Sequence, residues 1–438
     1  MICPQLRCNH YITDPPLIIM PTYNHTFYRF LFIIIWILPS AAVKSQGIPA
    51  IDKRIEALIK REKIPGGVAL IMQNGRQVHY RAYGRRSAFD STVMKPDDIF
   101  RIASMTKAIV SVGLLQLIEK YGIPLDTPLH AYLPAFRDQP VAIRNPEGDF
   151  KTRPSTRAVT IRDILTHRSG ISSASEHPAF LQLYRKHKLD GAMHLHFRDL
   201  AELCDSLAAM PLVHDPGARF SYGASTDVAG RLIEVIAGKR IDEYLKEQIF
   251  RPLRMNDTHF RLTPSKALRL IPVAVTLPDG KLGTLDDNHS VSTYPTDKEG
   301  KFFSAAGGLV STAQNYARFL ECLRLGGRWK GKRLLGKAWV DSLLTDQLGG
   351  DTFIFGGIRG LNGFGLGVGI TSKAGQTLTH ASPGSFFWGG ALNCSYLVDR
   401  SRGIITVFMF QRTPFDLPAE LSALERTAID ALTPDAGK

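Results

Sequence analysis

The chain is short of cysteine, of long apolar runs and of charge blocks. Two of its five cysteines, Cys3 and Cys8, lie at the extreme N-terminus, leaving Cys204, Cys322 and Cys394 in the body of the 438 residues. Three scattered cysteines do not make a disulfide framework, and none has metal-site spacing, so they read as buried thiols. There is no G-x-S-x-G elbow, no H-E-x-x-H pair and no P-loop. Those absences remove the usual sequence signals of an α/β-hydrolase, a zinc protease and a phosphate-cradling enzyme. The net charge of +14 comes from lysines and arginines interleaved with acids, with no basic block or nucleic-acid motif. Nucleic acid is therefore not an expected partner. Attraction to an anionic envelope surface, with at most peripheral membrane association, is all the charge implies. Apolar content of 44% and charged content of 21% are ordinary for a globular protein.

The compact apolar run Phe30 to Leu38 is too short to span a bilayer comfortably. It follows Arg29 and precedes Pro39-Ser40-Ala41-Ala42-Val43-Lys44-Ser45, the make-up of a secretory signal peptide. The expectation is a leader over residues 1–45 and export to a bacterial periplasm, with a membrane anchor as the alternative. Met20 competes with Met1 as the start.

What the chain does have is Phe100-Arg101-Ile102-Ala103-Ser104-Met105-Thr106-Lys107, opening an apolar helical run from Ala108 to Tyr121 with Gly122 as its C-cap. Ser104 and Lys107, three apart, project from one helix face. A serine hydroxyl is a weak nucleophile at neutral pH, and a lysine within hydrogen-bond reach can take or relay its proton. The helix N-terminus supplies positive potential and free N–H groups where an oxyanion would form. One such S-x-x-K match is expected by chance in a chain of this length, so its surroundings must decide.

Around it, an amphipathic helix is expected over about 48–62, then strands over 67–73 and 77–83 joined by Asn74-Gly75 as a type I′ hairpin. From Pro124 to Pro264 the pattern is helical or loop-like. It includes a short helix in 160–170 stopping at a glycine, and helices over 199–210, 225–237 and 241–250. Residues 262–303 read as irregular. A helix follows Ser311 or Thr312 as N-cap, strands are expected over 364–370, 387–398 and 403–410, and a last helix over 417–432. The fold class is thus α+β. An antiparallel sheet is built from both ends of a domain spanning 46–438 and flanked by terminal helices, with a mainly helical region at about 101–300.

Three further stretches bear on chemistry. Tyr222 sits in a glycine-rich turn before a helix, where its hydroxyl can act as general base towards Ser104 or its ring can simply pack the helix entry. Trp388-Gly389-Gly390 marks close approach of a ligand or another backbone, or a bulge, and the N–H of Ala391 is the candidate second oxyanion donor beside that of Ser104. His380 precedes that strand, as a polarising group or a structural one. His177, His187, His194 and His196 lack metal spacing and read as polar loop.

Together these stretches resemble the serine hydrolases related to class C β-lactamases, and most closely their carboxylesterase members, the family VIII esterases. The nucleophile octapeptide is similar to theirs. So are Leu165-Thr166-His167-Arg168-Ser169-Gly170, Pro216-Gly217 through Tyr222 with Asp227-Val228-Ala229-Gly230, Pro252-Leu253-Arg254-Met255-Asn256-Asp257-Thr258, and Gly307-Gly308-Leu309-Val310-Ser311-Thr312. The resemblance runs from about Ile51 to Gln411 and implies the β-lactamase/transpeptidase fold. It implies Ser104 as acylated nucleophile, Lys107 and Tyr222 as proton-transfer partners, and the N–H groups of Ser104 and Ala391 as oxyanion hole, with no metal and no organic cofactor. Two departures separate the chain from the β-lactamases. Ala224 replaces the asparagine of their Y-x-N, and Trp388-Gly389-Gly390 stands where they have K-T-G. An aromatic pocket without a cation suits a neutral acyl group, with His380 as partial compensation. The expectation is an exported serine hydrolase cleaving small carboxylic esters. Amide chemistry on a β-lactam, D-amino-acid peptide or peptidoglycan is the alternative within the fold, and a non-catalytic envelope binding protein the alternative outside it.

Overall fold

The computed structural model describes residues 47–433 except 146–149, 172–177, 190–195, 278, 286–293, 297–299, 301, 350–352, 356–357 and 360. The leader, His177 and His194 lie outside the described residues.

Helix α1 (Pro49–Glu62) begins with proline at its first position, where no backbone donor is lost, and ends at Lys63 in the left-handed region. Strands β1 (Gly66–Gln73) and β2 (Arg76–Gly84) follow. Asn74 and Gly75 adopt φ of 49° and 79°, the positive values a type I′ hairpin demands. The C-terminal part supplies β3 (Gly363–Phe364), β4 (Gly369–Ile370), β5 (Phe386–Gly390), β6 (Cys394–Asp399) and β7 (Ile404–Phe410). These make one seven-stranded sheet in the order β3-β4-β5-β6-β7-β1-β2, antiparallel throughout. Both ends of the chain therefore meet at the β1–β7 pair, as expected.

Alternation along the strands divides the core. Ala69 and Ile71 of β1 and Phe408 and Phe410 of β7 pack on Ile51, Ile55 and Leu58 of α1 and on Leu421, Leu424 and Ala428 of the last helix (Pro418–Leu432). Val68 and Leu70, with Val407 and Met409, face the larger cluster. That cluster is built on the Thr106–Tyr121 helix, which we label α2, with Ser225–Ala237 and Ala313–Arg324. Each fully buried aliphatic side chain contributes about 1.5–3 kcal/mol, so the sheet is fixed from both faces.

Four expectations are corrected. The apolar run at 364–370 is a tight hairpin, β3–β4, turning at Gly367 with φ of 102°. The run at 387–398 is two strands, with Asn393 at φ of 63° in the turn between them. Strands buried on both faces read as one continuous apolar run, so periodicity does not reveal the turn. The region read as helical also carries a hairpin, Val141–Arg144 with Phe150–Arg153. The irregular stretch likewise supplies Ala274–Thr276 and Leu282–Thr284 to a small sheet with Arg412–Thr413.

Candidate active site

Ser104 lies in a 3-10 turn, Ala103–Met105, that runs directly into α2. Ala103 holds φ of 43°, a left-handed conformation costing an L-residue about 1–2 kcal/mol. Surrounding contacts hold the turn. The Ile102 N–H donates to the Leu309 carbonyl at 3.1 Å, and the Tyr316 hydroxyl donates to the Met105 carbonyl at 2.8 Å. Thr106 Oγ1 accepts from the Leu309 N–H at 3.1 Å.

Lys107, 3% exposed, is one turn on. Its Nζ donates to Ser104 Oγ at 3.1 Å and to the Ala306 carbonyl at 2.7 Å. Ala306 is itself positioned by Asp227, whose Oδ1 accepts from the Ala306 N–H at 2.9 Å and from Ser304 Oγ at 3.1 Å. Asp227 stands on the Ser225–Ala237 helix. That helix can approach the 304–306 segment because Gly230 has no side chain: a Cβ there would sit 2.4 Å from that of Ala305.

Tyr222 completes the cluster from the other side. Its turn is tied down by the Ser221 N–H donating to the His167 carbonyl at 2.7 Å. Lys107 Nζ lies 4.7 Å from the centre of the Tyr222 ring, within cation–π range. The His167 ring is 4.7 Å away and that of Trp388 5.7 Å. His167 is buried, and burial together with the positive charge of Lys107 pushes its pKa down to about 3, so the imidazole is neutral at pH 7.

Strand β5 closes the site. Trp388 is buried on the Tyr222 side. A Cβ on Gly390 would fall 2.5 Å from the Ile102 carbonyl oxygen, so only glycine lets the strand lie against the nucleophile's turn. Ala391 follows immediately, exposed in the β5–β6 turn. Gly389, by alternation, faces the opposite side of the sheet. His380 is not brought to the cluster. Half exposed, it caps a short helix in the left-handed region, and its Nδ1 bonds Asp430 of the last helix at 2.7 Å. Its place in the candidate site is therefore corrected: a carboxylate partner outside the cluster holds the ring. Residue-level reading missed the parts played by His167, Asp227 and Ala306. The first two lay inside the quoted family stretches, and Ala306 directly preceded one. Cys204, Cys322 and Cys394 are buried free thiols. Among the described residues no group of histidine, cysteine and carboxylate side chains is placed to hold a metal ion.

A serine whose hydroxyl meets a buried lysine, beside a tyrosine and a strand edge packed on its own turn, is an arrangement that can support nucleophilic chemistry at the serine. Residues 51–428 match the family model Beta-lactamase, and the chain belongs to that family. It is an enzyme of the serine-hydrolase type, with esterases and acyltransferases among its relatives. Esterase EstB of Burkholderia gladioli is 26% identical over 376 residues, covering 84% of this chain and 90% of its own length. Monacolin J acid methylbutanoyltransferase of Aspergillus terreus is 27% identical over 397 residues, covering 86% and 94%. The solved structure of EstCE1, a hydrolase with promiscuous acyltransferase activity, aligns with a TM-score of 0.69 at 21% identity over 86% of this chain and 99% of its own, which shows the shared fold.

Proposed function

We propose that the chain is an esterase acting on small-molecule carboxylic esters through an acyl-enzyme on Ser104. The observation that carries this reading is the 3.1 Å contact between Lys107 Nζ and Ser104 Oγ, with Lys107 held at the same time by the Ala306 carbonyl. Ser104 Oγ attacks the ester carbonyl and gives up its proton through Lys107 to Tyr222, the general base. The N–H groups of Ser104 and Ala391 take the developing oxyanion. The C–O bond to the alcohol then breaks and the departing oxygen receives that proton. A water molecule, deprotonated by the same pair, attacks the acyl carbonyl and releases the acid, and the proton returns to Ser104. The absence of a cation at Trp388-Gly389-Gly390 supports an ester over a β-lactam carrying a carboxylate. The leader read at residues 1–45 supports export to a periplasm, which fractionation of the producing cell checks.

A second reading has an alcohol replace water in the last step, making the chain an acyltransferase. An esterase and a methylbutanoyltransferase at nearly equal identity support it. The test of both is paired assay of the mature protein and Ser104→Ala on p-nitrophenyl butyrate, with and without an added alcohol, and with a chromogenic cephalosporin. Turnover and a covalent acyl adduct, both lost in the variant, are expected, with little cephalosporin cleavage. Butyryl ester of the added alcohol would favour transfer, and turnover that survives in the variant would overturn the mechanism.

A further inference from the structure

Behind the site, β5 leaves a gap. Strand β4 pairs with β5 only at Phe386 and Phe387. Opposite Trp388 and Gly389 a small cavity of about 80 Å³ opens towards the last helix. Phe387, Phe415, Leu421 and the edge of Trp388 make its wall apolar, and Gly389 contributes no side chain. At its floor stands Glu425, 5% exposed. Ser395 Oγ donates to Glu425 Oε1 at 3.0 Å. Among the described residues that line the cavity, Glu425 is the one titratable group, so no lysine, arginine or histidine there compensates a charge. Burial pushes its pKa up to about 8, against the opposing hydrogen bond from Ser395. At neutral pH the side chain is therefore an acid with a proton to donate. A group of that kind, in an apolar pocket, is costly unless it meets an acceptor.

We infer that this cavity receives the far end of the substrate's acyl group, and that Glu425 selects acyl chains carrying a neutral acceptor oxygen a few atoms from the ester carbonyl. Among the described residues no strand covers the β4 side of β5 beyond Phe387, so a short chain running from Ser104 along the open edge at Trp388 and Gly389 turns behind the strand into the cavity. The acyl group, not the alcohol, is the part that stays while the other partner must leave and water must enter, and a pocket off the path of the leaving alcohol suits what stays. A volume of about 80 Å³ leaves room for an ether or keto terminus. A protonated Glu425 disfavours an alkylammonium terminus, since the acid would first have to lose its proton to solvent before it could pair with the cation.

The inference rests on the acyl-enzyme reading above, and the two fail separately. The experiment compares kcat/KM for p-nitrophenyl 4-methoxybutanoate and p-nitrophenyl hexanoate, which differ by an ether oxygen in place of one methylene, in the full chain and in Glu425→Gln and Glu425→Leu. The wild type should favour the ether ester about tenfold, the loss expected for one hydrogen bond to a buried acid. Glu425→Gln, which keeps a donor, should retain that preference. Glu425→Leu should lose it while still hydrolysing the hexanoate. In the wild type the preference should fade above about pH 8, as Glu425 loses its proton, and in Glu425→Gln it should not. An equal ratio in wild type and Glu425→Leu, or a preference for a chain ending in an ammonium group, would overturn the inference. So would a preference seen only when the oxygen is moved to the alcohol. If hydrolysis of both esters persists in Ser104→Ala, the acyl-enzyme reading fails instead. If Glu425→Leu does not fold, the Glu425→Gln pH comparison decides alone.

Discussion

On each side of β5 a buried titratable side chain is held neutral, a base on one and an acid on the other. On the Tyr222 side, His167 is kept from gaining a proton, by burial and by the charge of Lys107. On the rear, Glu425 is kept from losing one, by burial alone against the pull of Ser395. Both groups are neutral at pH 7, yet they respond to pH in opposite senses. The first leaves an uncharged ring beside Tyr222. The second leaves a proton donor in an otherwise apolar pocket. Burial thus acts alike on both, disfavouring the charged form, and the directions differ because one group is a base and the other an acid, with Lys107 adding to the first.

The sharpest break of that comparison removes the reaction centre and leaves the rear face intact. Ser104→Ala should cut ester turnover by about 10³-fold or more while leaving the urea unfolding midpoint close to the wild-type value. A large stability loss would mean that the hydroxyl serves packing. Next in size, Ile55→Ala in the α1 layer should cost about 2–5 kcal/mol by urea unfolding, since Ile55 is fully buried against β1 and β7. Its kcat per folded molecule should hold; a loss of kcat would tie the rear layer to the chemistry. Asp227→Asn keeps the shape but weakens the acceptor that fixes Ala306. A stability loss of about 1–3 kcal/mol is expected, with kcat falling more than KM rises because Lys107 loses its backstop.

The smallest effects are the most diagnostic of the two faces. His167 has a folded pKa of about 3 against 6.5, so the unfolded chain takes up the proton first. Its contribution to stability is present above about pH 6.5 and is lost as pH falls towards 3. Glu425 has a folded pKa of about 8 against 4.5, so the folded chain holds the proton longer. Its contribution is present below about pH 4.5 and is lost as pH rises towards 8. Urea midpoints of Glu425→Gln should therefore gain on the wild type between about pH 5 and pH 8, and those of His167→Phe between about pH 6 and pH 4. Parallel pH curves for wild type and either variant would refute that variant's half of the comparison.

Much of this was legible in the residues. The α1 stripe, the Asn74-Gly75 hairpin and the α2 helix with its Gly122 cap follow from periodicity and turn chemistry, and Ser104 and Lys107 were singled out by the surrounding family stretches rather than by their spacing alone. The contacts that build the site out of distant segments were not. Asp227 reaches Ala306 across 79 positions, and Ser395 meets Glu425 across 30; no local pattern records either. His380 looked like a site residue because it precedes β5, yet helix capping and Asp430 take it elsewhere. The turn at Asn393 was hidden because the second strand is buried along its whole length and shows no alternation of exposure.

Gly390 acts as a spacer of zero thickness. The slot between the Ser104 turn and the strand edge is gauged by a missing methyl, and any side chain there works as a shim, prising β5 from Ile102. Because that strand also borders the rear cavity, such a shim would shift the walls of both at once. A change of side chain at Phe387, Ser395 or Glu425 meets the space of that cavity; residue 390 has no such slack.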